Sequence, residues 1–554
     1  MVSLIRKTVK GHIYWYAVKS ARVRGRPKIV WQKYLGSANH IAESFTSMDK
    51  TRNLVIESMP LGHVAALARA NEDLHFIEIV DKYTGKKDIV GLSVGQYILL
   101  QLMGRAEGAL SRQAIADWYP GSVTKLLMNT PHKMNEKNLI RHLDYPTTDA
   151  IKSIEDDLAR RLLELGLTPT KLLWDTTNVF TRIDSGGDIP QKGHSKEHRN
   201  DRNLIGIGLA VSSENIPFFH ETFEANMHDS KMFSDVLDVI VDRLKKINVN
   251  ADKMVMIIDK GNNSDDNIKA LIKKAHVIGT IRSDQAEEYL RVPLKSFVPI
   301  DQNGGKDELL AYRTKGEHYG EEFTIVVTYN PRTHRKQQIK YEESKAKILT
   351  ELADLKKRVE NNRGRGRPWT QNRAIRAIVD IIPINLRSVF NYDVVKKVGR
   401  GGGLIMCFGI NEKKELIRYS SFGKIIHFTD LHDWSSKEIS ESYNSKYQIE
   451  DDFRWLKDKL LIPIKPVHVR TDAHIRSHVF ICVMGLLFYR YIQWKLRRNG
   501  QKYSTQELAN ILDEIRLAIV KNGSDAKGKF VVEKMDRDQA RVFSLLDMGE
   551  FIKT

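Results

Sequence analysis

At 554 residues the chain is longer than one ordinary domain, and its 41% of hydrophobic residues can bury a large core, which excludes a disordered protein. Its 88 lysines and arginines against 69 acids give a formal charge of +19. That favours a polyanionic partner, nucleic acid ahead of a membrane, because basic side chains release counterions condensed on phosphates; a generically basic surface is the plainer alternative.

The predicted elements follow in chain order. The start, MVSLIRKTVKGHIYWYAVKS, lacks the apolar core of a secretory signal, and the longest apolar stretch, Val479 to Tyr489, is too short to span a bilayer; a cytoplasmic location is expected. Residues 1–42 hold no acid and alternate as IYWYAV and KIVWQKYLG around ARVRGRP, which predicts a β-hairpin with a basic loop in an N-terminal β-rich region, 1–90. From 91 to 165, VGQYILLQLMGRA, SRQAIADWY and TTDAIKSIEDDLARRLLELG have helical spacing, and this stretch is expected to be mostly helical.

Residues 166–284 change character: KLLWD, IGIGLAVSS, IPFFHETFE, KMVMIID and HVIGTI read as strands, with helices at 230–246 and in DDNIKALIKKA. That order predicts an α/β layered domain with a mixed sheet. Residues 285–430 mix short strands (FTIVVTY, LIMCFGI, GKIIHFTD) with one polar helix near 341–360 and the tract NNRGRGRPWTQNR, and are expected to be a β-rich insertion. Helical spacing returns in 431–500, through SSKEISESYNSKYQIEDDFRWLKDKL and HIRSHVFICVMGLLFYRYIQWKL, and continues over 501–554 in STQELANILDEIRLAIVKN. The two cysteines, Cys407 and Cys482, lie in apolar runs; they read as buried thiols of a reducing compartment and cannot form a zinc cluster.

Three acids are candidates for chemistry. Asp175 follows KLLW and Asp259 follows KMVMII, both at the expected carboxyl ends of strands, where an aspartate is either a catalytic group or a turn former. In YNSKYQIEDDFRWLKDKL, helical spacing puts Tyr443, Lys446, Tyr447, Glu450, Arg454 and Lys457 on one face. Asp451 and Asp452 point about 100° and 200° away, so Glu450 is the acid to choose. The alternative is a solvated helix whose Glu–Lys pairs contribute a few tenths of a kcal/mol each. Two aspartates and a glutamate in a basic protein suit two Mg²⁺ or Mn²⁺ ions about 4 Å apart for phosphoryl transfer.

The spacing Tyr443, Lys446, Glu450, Lys457 resembles the Y-(2)-R-(3)-E-(6)-K signature of DDE-class transposases of the "insertion sequence four" superfamily. WDTTNVF, GHSKEHRNDRNLIGIGLAVS, IPFFHETFEANMHDSKMFSDVL, IIDKGNNSDDN, GKIIHFTDLHDWSSKEISESY and HIRSHVFICVMGLLFY are similar to segments of the same group in the same order. The resemblance implies a ribonuclease-H-like core interrupted by an insertion before the glutamate, with Asp175, Asp259 and Glu450 as the metal triad. Tyr443, Lys446 and Lys457 would then contact phosphates at transposon ends. The signature's arginine is Lys446 here, which keeps the charge and loses the bidentate fork. The implied reaction is hydrolysis at the element's ends, freeing a 3′-OH, then attack of that hydroxyl on target DNA. The implied partners are double-stranded DNA, as terminal inverted repeats and target, and a second copy in a homodimer on DNA, in a prokaryotic, nucleoid-associated setting without a membrane. Residues 91–165 become the candidate for end binding.

Other features are weighed beside these. RGRP occurs at Arg24–Pro27 and Arg365–Pro368; Arg24, Arg26, Arg365 and Arg367 either enter a minor groove or form basic turns on phosphates. Trp434 either stacks on an unstacked base or anchors the core. GRGGG at Gly399–Gly403 lacks the Lys-Ser/Thr of a nucleotide loop. His228 could approach the acids, Asp229 reads as a helix cap, and His474 with His478 lacks the glutamate of a zinc motif. Two alternatives to an active transposase stay open: a catalytically silent DNA-binding protein derived from one, and a nuclease of the same fold.

Overall fold

The computed structural model describes residues 2–23, 26–48, 54–85, 91–128, 134–184, 187–227, 229–282, 285–300, 308–361, 368–397, 403–457, 462–522 and 528–552. The chain opens with a three-stranded antiparallel sheet, β1 (Val2–Val9), β2 (His12–Val23) and β3 (Arg26–Gly36). β2 and β3 are the expected hairpin. β1 joins through a turn at Lys10 and Gly11, both with positive φ (51° and 82°), a geometry that matches hairpin twist. Lysine in place of the usual asparagine left that turn unmarked in the sequence. β4 (Leu54–Pro60) follows, and its partner comes from the far end of the chain.

Nine strands form the main sheet: β5 (Lys171–Thr181), β6 (Asn203–Ser212), β7 (Pro217–Glu224), β8 (Val255–Ile258), β9 (His276–Thr280), β10 (Val298–Pro299), β11 (Leu310–His318), β12 (Glu321–Tyr329) and β15 (Lys424–Thr429). Their order is β10-β11-β12-β15-β9-β8-β5-β6-β7, with β8 parallel to both neighbours and the other pairs antiparallel. All of β8 is buried, as its unbroken apolar run predicts. Gly208 on β6 lies against the buried Trp174 ring; a Cβ there would come within 2.5 Å of it, so glycine is what lets β5 and β6 pack at this point.

The helices Gly62–Leu74, Val94–Ala106, Thr148–Glu164 and Asp472–Arg498 share one core with these strands, containing Leu67, Ile98, Leu158, Trp174, Phe428 and Phe480. The helices of residues 91–165 divide their apolar faces between this core and a second, small one of their own, which includes Leu92, Leu100, Ile115 and Leu139. The 472–498 helix is long and apolar enough to cross a bilayer, but its most apolar stretch is 94% buried inside the protein. Buried charges lock the layers together: Arg243 of helix Asp229–Lys246 meets Glu155 at 2.9 Å and Asp156 at 2.6 Å, both on the 148–164 helix. His220 of β7 bonds the same Glu155.

Residues 285–430, expected to be a β-rich insertion, hold both strands of the main sheet and a mostly helical lobe. β11, β12 and β15 extend the main sheet through antiparallel pairing with β9. Between β12 and β15 lies a lobe of helices Pro331–Glu360, Gln371–Ile381 and Glu412–Ser421 around the hairpin β13 (Phe390–Lys396) and β14 (Leu404–Ile410). It has its own small core, including Leu352, Ile378, Val394 and Met406. Met406 faces that core, so its neighbour Cys407 points the other way and is exposed, contrary to the expected burial; Cys482 is buried.

The end of the chain also departs from expectation. Helix Thr505–Asp513 stops, and RLAIVKN forms β16 (Arg516–Asn522), which pairs with β17 (Lys529–Val532) and with β4. Its apolar residues fit either period over so short a run, and an open edge on β4, some 460 residues earlier, decides for strand.

Candidate active site

The parallel pairing of β5 with β8 matches Trp174 to Ile258, so the next residue of each, Asp175 and Asp259, leaves the pair side by side. β8 ends there, as expected. β5 does not: it runs on to Thr181 against β6, so Asp175 sits mid-strand beyond the end of its parallel neighbour.

The helix expected through Tyr443 and Glu450 is two helices, Ser436–Asn444 and Tyr447–Lys457. At the junction the Lys446 N–H donates to the Tyr443 carbonyl at 3.0 Å, a tighter, 3₁₀-type step. Lys446 Nζ lies 3.0 Å from Asp259 Oδ2 and 3.8 Å from Asp175 Oδ2. The Tyr443 hydroxyl donates to Asp259 Oδ1 at 3.4 Å and lies 3.0 Å from Thr280 Oγ1. Tyr447, by contrast, is 67% exposed.

The two aspartates have opposite electrostatics. Burial pushes the Asp175 carboxyl up, outweighing the pull of Lys446 and Lys196. Burial acts on Asp259 too, but the charge of Lys446 and its hydrogen bond more than offset it, and Asp259 lies below the usual range. Lys446, which burial alone would push down, is held up by Asp175 and Asp259.

Glu450 is exposed, one helical turn beyond Lys446. It lines a cleft of about 410 Å³ with Lys196, Glu197, Phe453, Arg454 and Lys457. Its two acidic neighbours face elsewhere: Asp452 is fully buried against Arg490 Nε at 2.7 Å, and Asp451 accepts from Arg490 Nη2 at 3.0 Å and Trp455 Nε1 at 3.0 Å. Lys457 Nζ donates to Thr177 Oγ1 at 2.5 Å, and burial, reinforced by the charges of Lys196 and Lys465 and opposed by Glu197 and Asp175, pushes it down to about 8. Arg454 is largely exposed and pairs with Asp451. A second opening, of about 580 Å³, lies on the other side of Asp259 and includes Lys260, Arg282, Lys424 and Tyr443.

Of the remaining sequence candidates, the described Trp434, His474 and His478 are not brought to this cluster. Trp434 is half-buried, with Lys171 Nζ 5.0 Å from its ring centre. Lys171 opens β5 four residues before Asp175, about 13 Å along the strand, so Trp434 sits near the start of β5 rather than at Asp175. Arg26 begins β3, paired with Val23; Arg24, Arg365, Arg367, His228 and Gly399–Gly402 lie outside the described residues. His474 bonds Asp144 and His478 bonds the Ile464 carbonyl, so they serve separate contacts. Sequence reasoning missed Lys196: Asn178 draws its loop back onto β5, and no local pattern encodes that return.

Comparison with known protein families matches residues 188–488 to the transposase DDE domain. The chain belongs to the DDE transposase family. The matched span covers more than half of the protein and contains Asp259 and Glu450, while Asp175 lies before it. No curated protein matches the chain. The large mixed sheet with packed helices is consistent with a ribonuclease-H-like transposase domain, and membership implies DNA as the partner of this transposase.

Proposed function

We propose that this transposase belongs to the "insertion sequence four" superfamily, cuts DNA at the ends of its mobile element and directs the freed 3′-OH at target DNA. The observation that carries the reading is the convergence of Asp175 and Asp259 on one cation, the Lys446 ammonium. Two hard carboxylate donors around a positive charge suit Mg²⁺ or Mn²⁺. Among the described residues no three acid, histidine or cysteine side chains form one ligand group, so the fit rests on this pair. Asp175 and Asp259 would hold the metal, and Glu450, at the mouth of the neighbouring cleft, is proposed as the third ligand. Two bound ions would activate the attacking oxygen and stabilise the leaving one.

The chain's own groups do the rest. Tyr443 steadies Asp259 through its hydroxyl. Lys446 offsets one charge of the carboxylate pair in the protein without DNA, and the resemblance makes it a phosphate contact once DNA arrives. Arg454 and Lys457 line the cleft on which Glu450 opens and supply positive charge to the backbone of the cut strand. A homodimer bridging two terminal repeats is the assembly this reaction calls for.

The test compares wild type with Glu450→Gln on labelled DNA carrying the element's own ends, in Mg²⁺, Mn²⁺ and chelator. Metal-dependent cleavage and strand transfer, lost in the variant while end binding persists, is the expected result. Wild type that binds and never cuts would mean a silent DNA-binding protein; cutting without joining would mean a nuclease of the same fold. A variant that still cuts would remove Glu450 from the triad.

A further inference from the structure

Lys196 and Lys465 belong to no part of the four-residue signature, yet Lys196 lines the cleft on which Glu450 opens and Lys465 pairs with Glu197 of the same lining. Lys196 Nζ donates to the Thr176 carbonyl at 2.7 Å, immediately after Asp175 on β5. Its position is built. The Asn178 side chain accepts the Lys196 N–H at 3.0 Å and donates to the His194 carbonyl at 2.9 Å, while Asn200 accepts the N–H of the buried Ser195 at 2.9 Å. Lys465 reaches the same loop from the other side and pairs with Glu197, with its ammonium 4.6 Å from the Phe180 ring centre. Lys457 closes the group from the 447–457 helix through Thr177.

Lys196, Lys457 and Lys465 thus gather about Glu197 of the loop, with Asp175 within electrostatic reach of Lys196 and Lys457. Burial, reinforced by the charges of Lys196 and Lys465, lowers the proton affinity of Lys457, and a bound anion would offset that cost. Glu197 and Glu450 also line the opening, and its lysines with Arg454 supply the positive charge that attracts a polyanion. We infer that Lys196 and Lys465, with Lys457, form a phosphate clamp that grips the DNA backbone as the strand crosses from Glu450 to Asp175. The clamp rests on the transposase reading for the identity of the strand, but it is a binding device and can be measured without catalysis.

The experiment measures binding of a DNA fragment carrying the element's ends, in chelator, over a range of salt concentrations. Lys196→Met and Lys465→Gln should each weaken binding about fivefold and lower the slope of log K against log [salt] by about 1, the effect of one lost phosphate contact. The double variant should lose about 2, and Lys196→Arg should retain the wild-type slope. Thermal midpoints of each variant separate loss of folding from loss of contact. If Lys196 merely fastens its loop to β5, Lys196→Met will unfold earlier with affinity and slope unchanged, and Lys465→Gln will bind as wild type; that overturns the clamp. Failure of wild type to cut in metal would sink the catalytic reading instead, and leaves the slope test standing.

Discussion

Asp452→Ala should destabilise the protein severely, whereas Glu450→Gln, two residues away, should leave stability unchanged. Arg490 is almost wholly buried and spends all five donors: Nε on Asp452 at 2.7 Å, Nη2 on Asp451 at 3.0 Å and Asp452 at 2.5 Å, and Nη1 on Gln493 at 2.9 Å and Thr505 at 2.8 Å. The Asn215 amide fits between, with its nitrogen 2.9 Å from Asp452 and its oxygen 3.1 Å from Arg490. Truncating Asp452 leaves a buried guanidinium with one carboxylate in place of two. Breaking a buried pair costs about 3–5 kcal/mol, and because Asp451 stays, about 3 kcal/mol is expected here. Asp452→Asn should cost less, about 1 kcal/mol, since an acceptor remains. Burial, only partly offset by Arg490, already pushes the Asp452 carboxyl up to about 7, so a neutral side chain also escapes part of that penalty. Glu450→Gln, on an exposed site, should stay within about 0.5 kcal/mol of wild type. Thermal unfolding at pH 8 with one scan rate ranks the four proteins. An Asp452→Ala protein as stable as wild type would refute the network, and a Glu450→Gln protein that unfolds with Asp452→Ala would mean that Glu450 is structural.

Lys446→Met should raise the affinity for Mn²⁺ in the absence of DNA by about tenfold, since the ammonium no longer competes for the carboxylate pair; titration calorimetry measures this, and unchanged or weaker binding would show that Lys446 does not stand in for a cation. Glu155 sets an acid limit on stability. Burial pushes its carboxyl up, but His220 and Arg243 outweigh burial and hold it below its ordinary 4.5. The folded state therefore binds fewer protons than the unfolded one below that value, and the stability from Glu155 is present above pH 4.5 and lost as pH falls through the folded value. Stability measured from pH 6 down to 3.5 should fall less steeply in Glu155→Gln than in wild type, and parallel curves would refute the assignment.

The acid cluster at 450–452 illustrates what local spacing can and cannot carry. Helical geometry separated Glu450 from Asp451 and Asp452, and in the structure Glu450 does open on a cleft while the other two turn to Arg490. Nothing local named Arg490, which stands 38 residues further on. The same spacing treated Tyr443 to Lys457 as one helix, and it was a turn at Ser445 and Lys446 that sent the lysine between the aspartates and left Tyr447 in solvent.

By itself, the sequence determined what depends on neighbours along the chain: the basic charge, the buried run of β8, the helix over 230–246 and the different directions in which three consecutive acids point. Only the tertiary structure decided that Asp175 lies mid-strand, that β11, β12 and β15 extend the sheet, that RLAIVKN is a strand on β4, and that Lys196 returns to the site. Side-chain periodicity is a property of a few successive residues. Strand register, edge pairing and the partners of buried charges are set by residues tens to hundreds of positions away, whose free energy appears only once the chain has closed on itself.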